Sequence, residues 1–433
     1  MMYDLAIIGG GPAGYAAAFE AVCKELHVIL FEKDLMGGTC LNRGCIPTKY
    51  LAHTAELYAQ ANSLDSFGIE VKRLRLNAKV LHKRKNEILD QLRAGLLQRM
   101  EQQKIRIVTA KAYVAERNVI FADDKKYYAK NILIASGSVP AQSFVDGAIT
   151  SDQMIHLDFI PKSLKIIGGG IAAVEFASMY HDMGTNVNMC IRGERILRRF
   201  DKEISVSVTN ILNKRGIEIR TNCTADMMKE KDAQVILSVT GRSPNTNGIF
   251  AKELGIRTDQ GIVTDCSGRT NVPGIYAAGD VTDNSSQLAH VAMEQGKRAV
   301  GAMIGEEDKK PFTVVQCIYI HPEIALAGCS EVEARKQGKT VAVGKQTMAA
   351  NARTMISTGE RGFVKLVADV NTKKIIGAQV MCERAGDLIS EIALAIDRQL
   401  TIEEMLHSVR PHPSYCEAVM EAAIMLKGKI KNV

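Results

Sequence analysis

The 433-residue chain has no tryptophan, and aromatic residues make up only 5% of it. It also has no apolar run of the roughly 20 residues that a membrane-spanning helix needs, so we expect no membrane partner. The formal net charge is +7, but so few aromatic side chains offer little to stack on nucleic-acid bases. We therefore expect no nucleic-acid partner either.

The sequence also lacks the features of a secreted protein. The first four residues lead directly into an apolar run, without the basic segment or cleavage site of a signal peptide. Ten cysteines are too few for a disulfide-dense extracellular scaffold. We expect a cytoplasmic protein in which most of the cysteines are small buried apolar residues.

The chain is long, and its composition of 46% apolar and 24% charged residues is typical of globular proteins. A chain of this size exceeds what one hydrophobic core usually holds, so two or three domains are expected. From Pro311 onward, strand-like runs are followed by helix-like segments, which predicts a separate α+β domain.

Residues 5–32 follow the pattern strand, glycine-rich turn, helix, strand. In Gly9-x-Gly11-x-x-Gly14 the glycines permit a tight turn, close approach of a pyrophosphate and close packing of the helix. Glu32 follows the second strand, where a carboxylate can bond a ribose hydroxyl. The combination predicts a dinucleotide-binding unit.

A second unit of the same kind carries Gly168-x-Gly170-x-x-Ala173. At the position equivalent to Glu32 it has Ile191 in place of an acid. Arginines follow directly: Arg192, Arg195, Arg198 and Arg199. A guanidinium can bond a 2′-phosphate in bidentate fashion, which favours NADPH over NADH, although these arginines could equally form a solvated face.

The segment GGTCLNRGCIPTK, residues 37–49, holds Cys40 and Cys45 beside the first nucleotide unit. Two cysteines at this spacing suggest a redox disulfide. An ideal helix would hold them too far apart, so we expect a distorted turn between them. No second pair of cysteines or histidines matches them as zinc ligands. Two unrelated buried cysteines are the alternative.

Near the C-terminus, His412-Pro413 precedes a helix that we expect to begin with Pro413 and to run to Leu426. Glu417 lies about one turn further on and can reach the imidazole of His412. Such a dyad can take up and return the protons of a thiol–disulfide exchange. A surface histidine that caps the helix is the alternative.

Together with TNVPGIYAAGD at residues 270–280, these motifs resemble those of the flavoprotein disulfide reductases. Within that family, their residues are most similar to those of the dihydrolipoamide dehydrogenases. The resemblance covers essentially the whole chain. It implies an α/β fold with two Rossmann-like nucleotide-binding domains and a C-terminal α+β dimerisation domain. The implied boundaries are 1–150 for the FAD domain, 151–262 for the NAD(P) domain, 263–310 for the FAD return segment and 311–433 for the dimerisation domain.

The resemblance also implies roles for single residues. Cys45 would be the thiol next to the flavin, and Cys40 the thiol that exchanges with substrate. Lys49 would lie near the flavin, paired with Glu175. The base His412, with Glu417, would belong to the other subunit, so a homodimer with a shared active site is expected.

FAD and either NADP or NAD are the implied cofactors, and no metal site is expected. The implied FAD contacts are Gly9, Gly11, Pro12, Ala13, Gly14, Glu32, Lys33, Gly38, Thr39, Lys49, Ala112, Ser136, Gly137, Asp280, Leu288, Ala289 and His290. The implied NAD(P) contacts are Gly168, Gly170, Ile171, Ala172, Ala173, Glu175, Arg192, Arg198 and Gly241.

The implied activity is electron transfer between NAD(P)H and a dithiol or disulfide, carried by a small molecule or a lipoyl domain. Two alternatives stay open: an NADPH-dependent reductase of another disulfide, a quinone or a metal ion, and a redox-sensing flavoprotein without turnover.

Four departures from the family pattern bear on which member of the family the chain resembles. Arg43 stands between the cysteines, where a small apolar residue is usual, and Arg410 stands two before the base, where lipoamide enzymes commonly have a second histidine. The stretch 216–240 is short, which predicts the loss of a hairpin, and Cys416 is an additional thiol inside the dyad motif.

Overall fold

A computed structural model describes residues 2–283, 285–357 and 362–431. The chain forms two compact units. Unit one consists of Met1–Gly168, Met183–Cys190 and Cys223–Lys310, and unit two of Gly169–Asp182, Ile191–Asn222 and Pro311–Val433. Each unit has an apolar core of its own.

The elements follow one another along the chain in three stretches. The first contains β1 (Met2–Ile8), α1 (Pro12–Cys23), β2 (Val28–Glu32), α2 (Gly38–Arg43), α3 (Cys45–Ala61), α4 (Ala78–Gln102), β3 (Arg106–Thr109), β4 (Ala112–Glu116), β5 (Val119–Ala122), β6 (Lys125–Ile134), β7 (Ser138–Pro140), β8 (Ile149–Thr150) and α5 (Ser151–Met154). The second contains β9 (Ser163–Ile167), α6 (Ile171–Asp182), β10 (Asn186–Cys190), α7 (Lys202–Arg215), β11 (Glu218–Arg220), α8 (Ala225–Lys229), β12 (Val235–Ser238), β13 (Arg242–Pro244), β14 (Ile275–Ala277) and α9 (Ala289–Met303). The third contains β15 (Val315–Ile318), β16 (Ile324–Gly328), α10 (Glu331–Lys336), β17 (Val341–Thr347), α11 (Ala352–Ser357), β18 (Phe363–Asp369), β19 (Ile375–Met381), α12 (Ala385–Asp397), α13 (Ile402–Leu406) and α14 (Glu417–Lys431). Within the described ranges, no helix is both long and apolar enough to cross a membrane.

The first sheet of unit one has the order β3-β2-β1-β6-β5-β4, and β14 pairs with β6. Strands β3, β2, β1, β6 and β14 pair with one another in parallel, whereas β5 pairs antiparallel with both β6 and β4. Leu5 and Ile7 of β1 pack with the alanines of α1 and α9 on one face, whereas Ala6 and Ile8 pack on the other. Both faces are therefore covered, which explains why β1 is apolar without alternation.

The second sheet of unit one contains the parallel strands β10, β9, β12 and β8 in that order. Its glycine-rich turn follows β9 just as the first turn follows β1, so the expected pair of Rossmann-like units is confirmed. Between Gly216 and Thr240 the chain forms β11, the short helix α8 and β12. Helix α8 was not expected. The buried Lys165 Nζ donates to the carbonyls of Met227 and Glu230, at 2.8 and 3.0 Å, and so fixes this short connection.

Unit two contains an antiparallel sheet with the order β15-β16-β19-β18-β17. Helices α12 and α14 supply the apolar residues that pack with the sheet in one core. At Gly344 of β17 an added Cβ would lie 2.0 Å from the carbonyl oxygen of Ala422, so α14 lies directly on that strand. The predicted α+β domain is confirmed, although β15 and β16 were not expected.

The expectation that most cysteines are buried is wrong in part. Cys190, Cys223 and Cys382 are buried in apolar clusters, but Cys23 and Cys266 are exposed. Cys23 is the last residue of α1, where the helix leaves the core. Position in an amphipathic helix, more than residue type, decides burial there.

Candidate active site

The first glycine-rich turn joins β1 to α1. Gly9 has φ +111°, and a Cβ there would lie 2.3 Å from the carbonyl oxygen of Ala135, so only glycine fits the turn. At Gly11, by contrast, a Cβ would meet only Gly38 Cα, at 3.9 Å. The backbone of Gly11 thus borders open space at the N-terminus of α1, which fits the pyrophosphate of FAD.

Glu32 ends β2 as a buried carboxylate. Its Oε2 accepts the N–H of Gly10 at 2.7 Å, and its Oε1 accepts the N–H of Asp34 at 2.9 Å. These bonds fix the carboxylate beside the turn. Each oxygen has a second lone pair with which it can accept a ribose hydroxyl, as the sequence predicts.

Replacing Gly11 with valine should abolish FAD binding while the chain still folds, because the new side chain would fill the pyrophosphate space and its Cβ would come no closer to the protein than 3.9 Å, at Gly38 Cα. Purified Gly11→Val protein is expected to show wild-type circular dichroism but no flavin absorbance after gel filtration. Gly95→Ala, a helical glycine of α4 with nothing within 4 Å of an added Cβ, is the matched control and should keep its flavin. A fully flavin-loaded Gly11→Val protein would contradict this placement.

Cys40 and Cys45 lie on either side of a break between two helices. Helix α2 ends at Arg43, Gly44 adopts φ −134° and ψ −110°, and α3 begins at Cys45. A Cβ on Gly44 would lie 3.0 Å from the carbonyl oxygen of Thr39, so this residue lets the two helices turn closely. The expected distortion between the cysteines is present, and both residues are half-buried thiols here.

The two thiols influence each other's ionisation. Hydrogen bonding to Cys45, followed by burial and the charge of Cys45, raises the pKa of Cys40 far above its ordinary value, and the charge of Lys49 opposes this. One proton therefore tends to stay on the pair. Burial, and next the charges of the two cysteines, raises the pKa of Tyr15 to about 12, so its phenol stays protonated beside them.

Tyr15 belongs to α1, in the same glycine motif, and the sequence analysis did not identify it. The tertiary fold brings the turn before α1 close to Gly38 of the redox segment, and no local sequence pattern reveals this approach.

Arg43 faces two carboxylates of unit one. Its Nη2 lies 2.6 Å from Asp34 Oδ2, and its Nε lies 3.9 Å from Asp152 Oδ2. Asp34 also donates its N–H to Glu32, so Arg43 ties the redox helix to the loop that carries the predicted ribose ligand.

A second series of polar contacts starts from Asp152. Arg242 Nη1 lies 3.2 Å from Asp152 Oδ1, and Arg242 Nε donates to Ser138 Oγ at 2.8 Å. Ser138 Oγ in turn donates to Asp280 Oδ2 at 2.7 Å. Asp280, one of the implied FAD contacts, is thus oriented by Ser138 and Arg242, two residues that the sequence does not reveal because they are distant from it along the chain.

The second glycine turn mirrors the first. A Cβ on Gly170 would have nothing within 4 Å, as expected for the position that a pyrophosphate approaches. A Cβ on Gly169 would lie 2.8 Å from Ile191 Cγ2, and one on Gly10 would lie 3.2 Å from Glu32 Cβ. Ile191 therefore does occupy the position of the acid.

The arginines after β10 differ in their contacts. Arg195 donates to the carbonyls of Phe200 and Arg198, at 3.1 and 2.9 Å, and so stabilises its own loop. Arg192 and Arg198 are exposed, and within the described chain their side chains form no hydrogen bond or ion pair. Their guanidinium groups are therefore available to a phosphate.

The predicted dyad forms within unit two. His412 Nδ1 lies 2.8 Å from Glu417 Oε1, and Glu417 Oε2 accepts the N–H of Ser414 at 2.8 Å. The contact with His412, followed by the backbone bond from Ser414, lowers the pKa of Glu417. The imidazole is 75% exposed, so it can exchange protons with a substrate.

The predicted start of the last helix was wrong. Helix α14 begins at Glu417, four residues after Pro413. The carboxylate of Glu417 caps the turn before the helix by accepting from Ser414, so residues 413–416 stay outside the helix.

The other predicted residues lie where their motifs place them, and their cofactor contacts stay predictions. Pro12, Ala13 and Gly14 begin α1, Gly38 and Thr39 begin α2, Lys33 is exposed after β2, Ala112 begins β4, Ser136 and Gly137 follow β6, Ile171, Ala172 and Ala173 begin α6, Gly241 follows β12, and Leu288, Ala289 and His290 form the start of α9. Glu175 in α6 accepts the N–H of Tyr319 at 3.0 Å, whereas Lys49 belongs to α3 in unit one. Their predicted pairing stays a prediction.

Comparison with known proteins identifies the family. Residues 3–296 match the family described as pyridine nucleotide-disulphide oxidoreductase, and residues 314–423 match its dimerisation domain. The chain belongs to the pyridine nucleotide-disulphide oxidoreductase family. It is a flavin-dependent disulfide oxidoreductase that uses FAD and NAD(P)H, and the dimerisation domain supports a homodimer.

Several relatives of this oxidoreductase are dihydrolipoyl dehydrogenases. Those of Bacillus subtilis and Chlamydia pneumoniae are both 34% identical, covering 99% and 98% of this chain and 98% and 96% of their own lengths. The enzyme of Mycoplasma pneumoniae is 32% identical over 97% of this chain and 98% of its own.

Two solved structures share the fold of the oxidoreductase. LpdA of Mycobacterium tuberculosis has a TM-score of 0.89 over 97% of this chain and 98% of its own. The HOCl-induced flavoprotein disulfide reductase of Escherichia coli, solved as a Cu(II) complex, has a TM-score of 0.86 over 96% of this chain and 98% of its own. Both are 24% identical to this chain and are evidence for its fold.

Proposed function

We propose that this oxidoreductase is a dihydrolipoyl dehydrogenase, which oxidises the dithiol of a dihydrolipoyl group, free or on a lipoyl domain, with NAD(P)⁺. The observation that carries the proposal is the contact between Cys40 and Cys45 across the Gly44 break, next to the nucleotide turn. The relatives' activity and the His412–Glu417 dyad support it.

The chemistry assigned to the chain is a pair of thiol–disulfide exchanges. A substrate thiolate attacks Cys40 in the Cys40–Cys45 disulfide, and Cys45 leaves as a thiolate. The second substrate thiol then attacks the mixed disulfide and releases Cys40, so two substrate thiols are oxidised and two cysteines are reduced. His412 takes up the proton of the first substrate thiol, and the proton of the second goes to Cys40 as it leaves. FAD would be held by the Gly9–Gly14 turn and Glu32, and when bound would supply the redox centre between the cysteine pair and NAD(P)⁺.

A substrate panel tests this proposal. Flavin-loaded protein is assayed with lipoamide, glutathione disulfide, a benzoquinone and Cu(II), each with NADH and with NADPH. Lipoamide is expected to give the highest kcat/KM. Preferential turnover of glutathione disulfide, the quinone or Cu(II) would contradict the proposal and favour an NADPH-dependent reductase of that acceptor. If no acceptor is turned over, the protein would instead be a redox-sensing flavoprotein.

We further propose that the preferred nucleotide is NADP. Ile191 at the position of the acid removes a carboxylate that would repel a 2′-phosphate, and Arg192 next to it is exposed. A charge-assisted hydrogen bond contributes about 1.5–3 kcal/mol. Arg192 alone can therefore account for roughly tenfold to hundredfold discrimination.

Replacing Arg192 with alanine should lower kcat/KM for NADPH by roughly tenfold to hundredfold and leave that for NADH almost unchanged. Lys214→Ala, which removes one exposed positive charge at the end of α7, is the matched control and should leave the ratio of the two nucleotides unchanged. A wild-type enzyme that prefers NADH would contradict the proposal.

The shared active site also belongs to the proposal, with His412 of one subunit serving the cysteines of the other. It is supported by the dimerisation-domain match. The cytoplasmic location expected from the sequence stays a prediction, as do the predicted domain boundaries.

A further inference from the structure

We propose that Arg410 is a positioning residue for the catalytic base His412, which it holds by anchoring the start of the segment that carries it. This inference deepens the proposed function and rests on His412 being the base. It assigns a role to an arginine that stands where lipoamide enzymes commonly have a histidine.

The base needs such an anchor because of its surroundings. Residues 408–416 contain no helix or strand, and the side chain of His412 is 75% exposed. Within the described chain its hydrogen-bonding partner is Glu417. A side chain so exposed on an irregular segment is held mainly by its backbone, so the contacts on either side of it decide how precisely it is placed.

Arg410 provides the contact before the base. Its side chain is only 4% exposed, and its guanidinium forms an ion pair with Glu391 of α12. The same group donates to the carbonyl of Ser408 at 2.9 Å and to that of Met405 at 3.4 Å. One buried cation thus joins the end of α13, the irregular segment and α12, and a bidentate planar donor suits this task better than a lysine.

The contact after the base is made by different residues. Asn351, which is buried, donates its Nδ2–H to the carbonyl of Ser414 at 2.9 Å. The hydroxyl of Tyr415 contacts Ser357 Oγ at 2.8 Å and Glu383. The backbone that carries His412 is therefore anchored on both sides of it, and Arg410 supplies the anchor that precedes it.

The side chain of Arg410 is directed into unit two and away from solvent. Its removal would leave Glu391 without its cation and would release the backbone two residues before His412. The reaction should then lose the steps that need the base, while reduction of the flavin by the nicotinamide, which does not need it, should be unaffected.

The test compares Arg410→Met and Arg410→Lys with the wild type and with Arg398→Met, which removes an exposed arginine at the end of α12. We expect Arg410→Met to lower kcat with lipoamide by roughly 100-fold, as misplacement of a catalytic group does. The KM for the nicotinamide and electron transfer from NAD(P)H to ferricyanide should be unchanged. Arg410→Lys should restore part of kcat, and Arg398→Met should behave as wild type. Wild-type kcat in Arg410→Met, or equal losses with lipoamide and ferricyanide, would overturn the inference.

A second measurement does not depend on lipoamide turnover. Hydrogen exchange followed by mass spectrometry should show faster exchange of the peptide covering residues 405–417 in Arg410→Met than in Arg398→Met. Unchanged protection would overturn the positioning role. If the wild type oxidises no dithiol at all, the proposed function fails, whereas the exchange data still decide whether Arg410 holds this segment.

Discussion

Replacing Cys40 with serine is expected to lower the oxidation of dihydrolipoamide by roughly 10⁴-fold or more, in the range that loss of an essential nucleophile costs other enzymes. The hydroxyl of serine cannot form a disulfide with Cys45, so neither the exchange with substrate nor the storage of the electron pair on sulfur is possible. Steady-state rates with saturating nicotinamide measure the effect.

Two controls separate this loss from misfolding. Electron transfer from NAD(P)H to ferricyanide needs the nucleotide sites but not the cysteine pair, and should stay within about twofold of wild type because the thiols lie outside both glycine turns. Cys23→Ser changes an exposed cysteine at the end of α1 and should leave both activities intact. Dithiol turnover that survives Cys40→Ser would contradict the mechanism.

Replacing His412 with glutamine is expected to lower dithiol turnover by roughly 10²- to 10⁴-fold, the contribution of a positioned general base. Glutamine keeps a polar side chain but cannot carry a proton between substrate and solvent. The variant should lose one ionisation from its pH–rate profile, while flavin content and ferricyanide reduction stay unchanged. His407→Gln, an exposed histidine in the same unit, is the matched control.

The same variants test whether the base serves the other subunit. Cys40→Ser and His412→Gln homodimers are each nearly inactive, but random re-pairing of their subunits would create one intact site in each hybrid. Half of the dimers would be hybrids, so about a quarter of wild-type activity should return. If unfolding and refolding the mixture restores nothing, while a wild-type sample regains its activity, the two residues act within one chain.

Local features of the fold and of the site could be predicted from the sequence, whereas features that depend on distant residues could not. The two nucleotide turns, the paired cysteines and the His412–Glu417 dyad are local patterns, and the structure places each as expected. The arrangement at Gly44 was also foreseen, because cysteines five apart cannot meet on an ideal helix.

The features that were missed depend on distant partners. Tyr15 feels the charges of two cysteines that lie at least 25 residues further along the chain, and Arg242 reaches Ser138 from 104 residues away. Arg410 departs from the family pattern, but the direction of its side chain depends on the ion pair with Glu391, which lies on helix α12. The start of α14 was misplaced because the side chain of Glu417 caps the turn that precedes it.

The central claim is that electrons pass through a Cys40–Cys45 disulfide, and peptide mapping tests it most directly. Trypsin cleaves after Arg43, between the two cysteines, so the oxidised protein should give the peptides 34–43 and 44–49 joined by a disulfide. After anaerobic addition of one equivalent of NAD(P)H per flavin, both peptides should be separate and alkylated at Cys40 and Cys45. Unlinked peptides in the oxidised protein, or a disulfide that NAD(P)H leaves intact, would contradict the account.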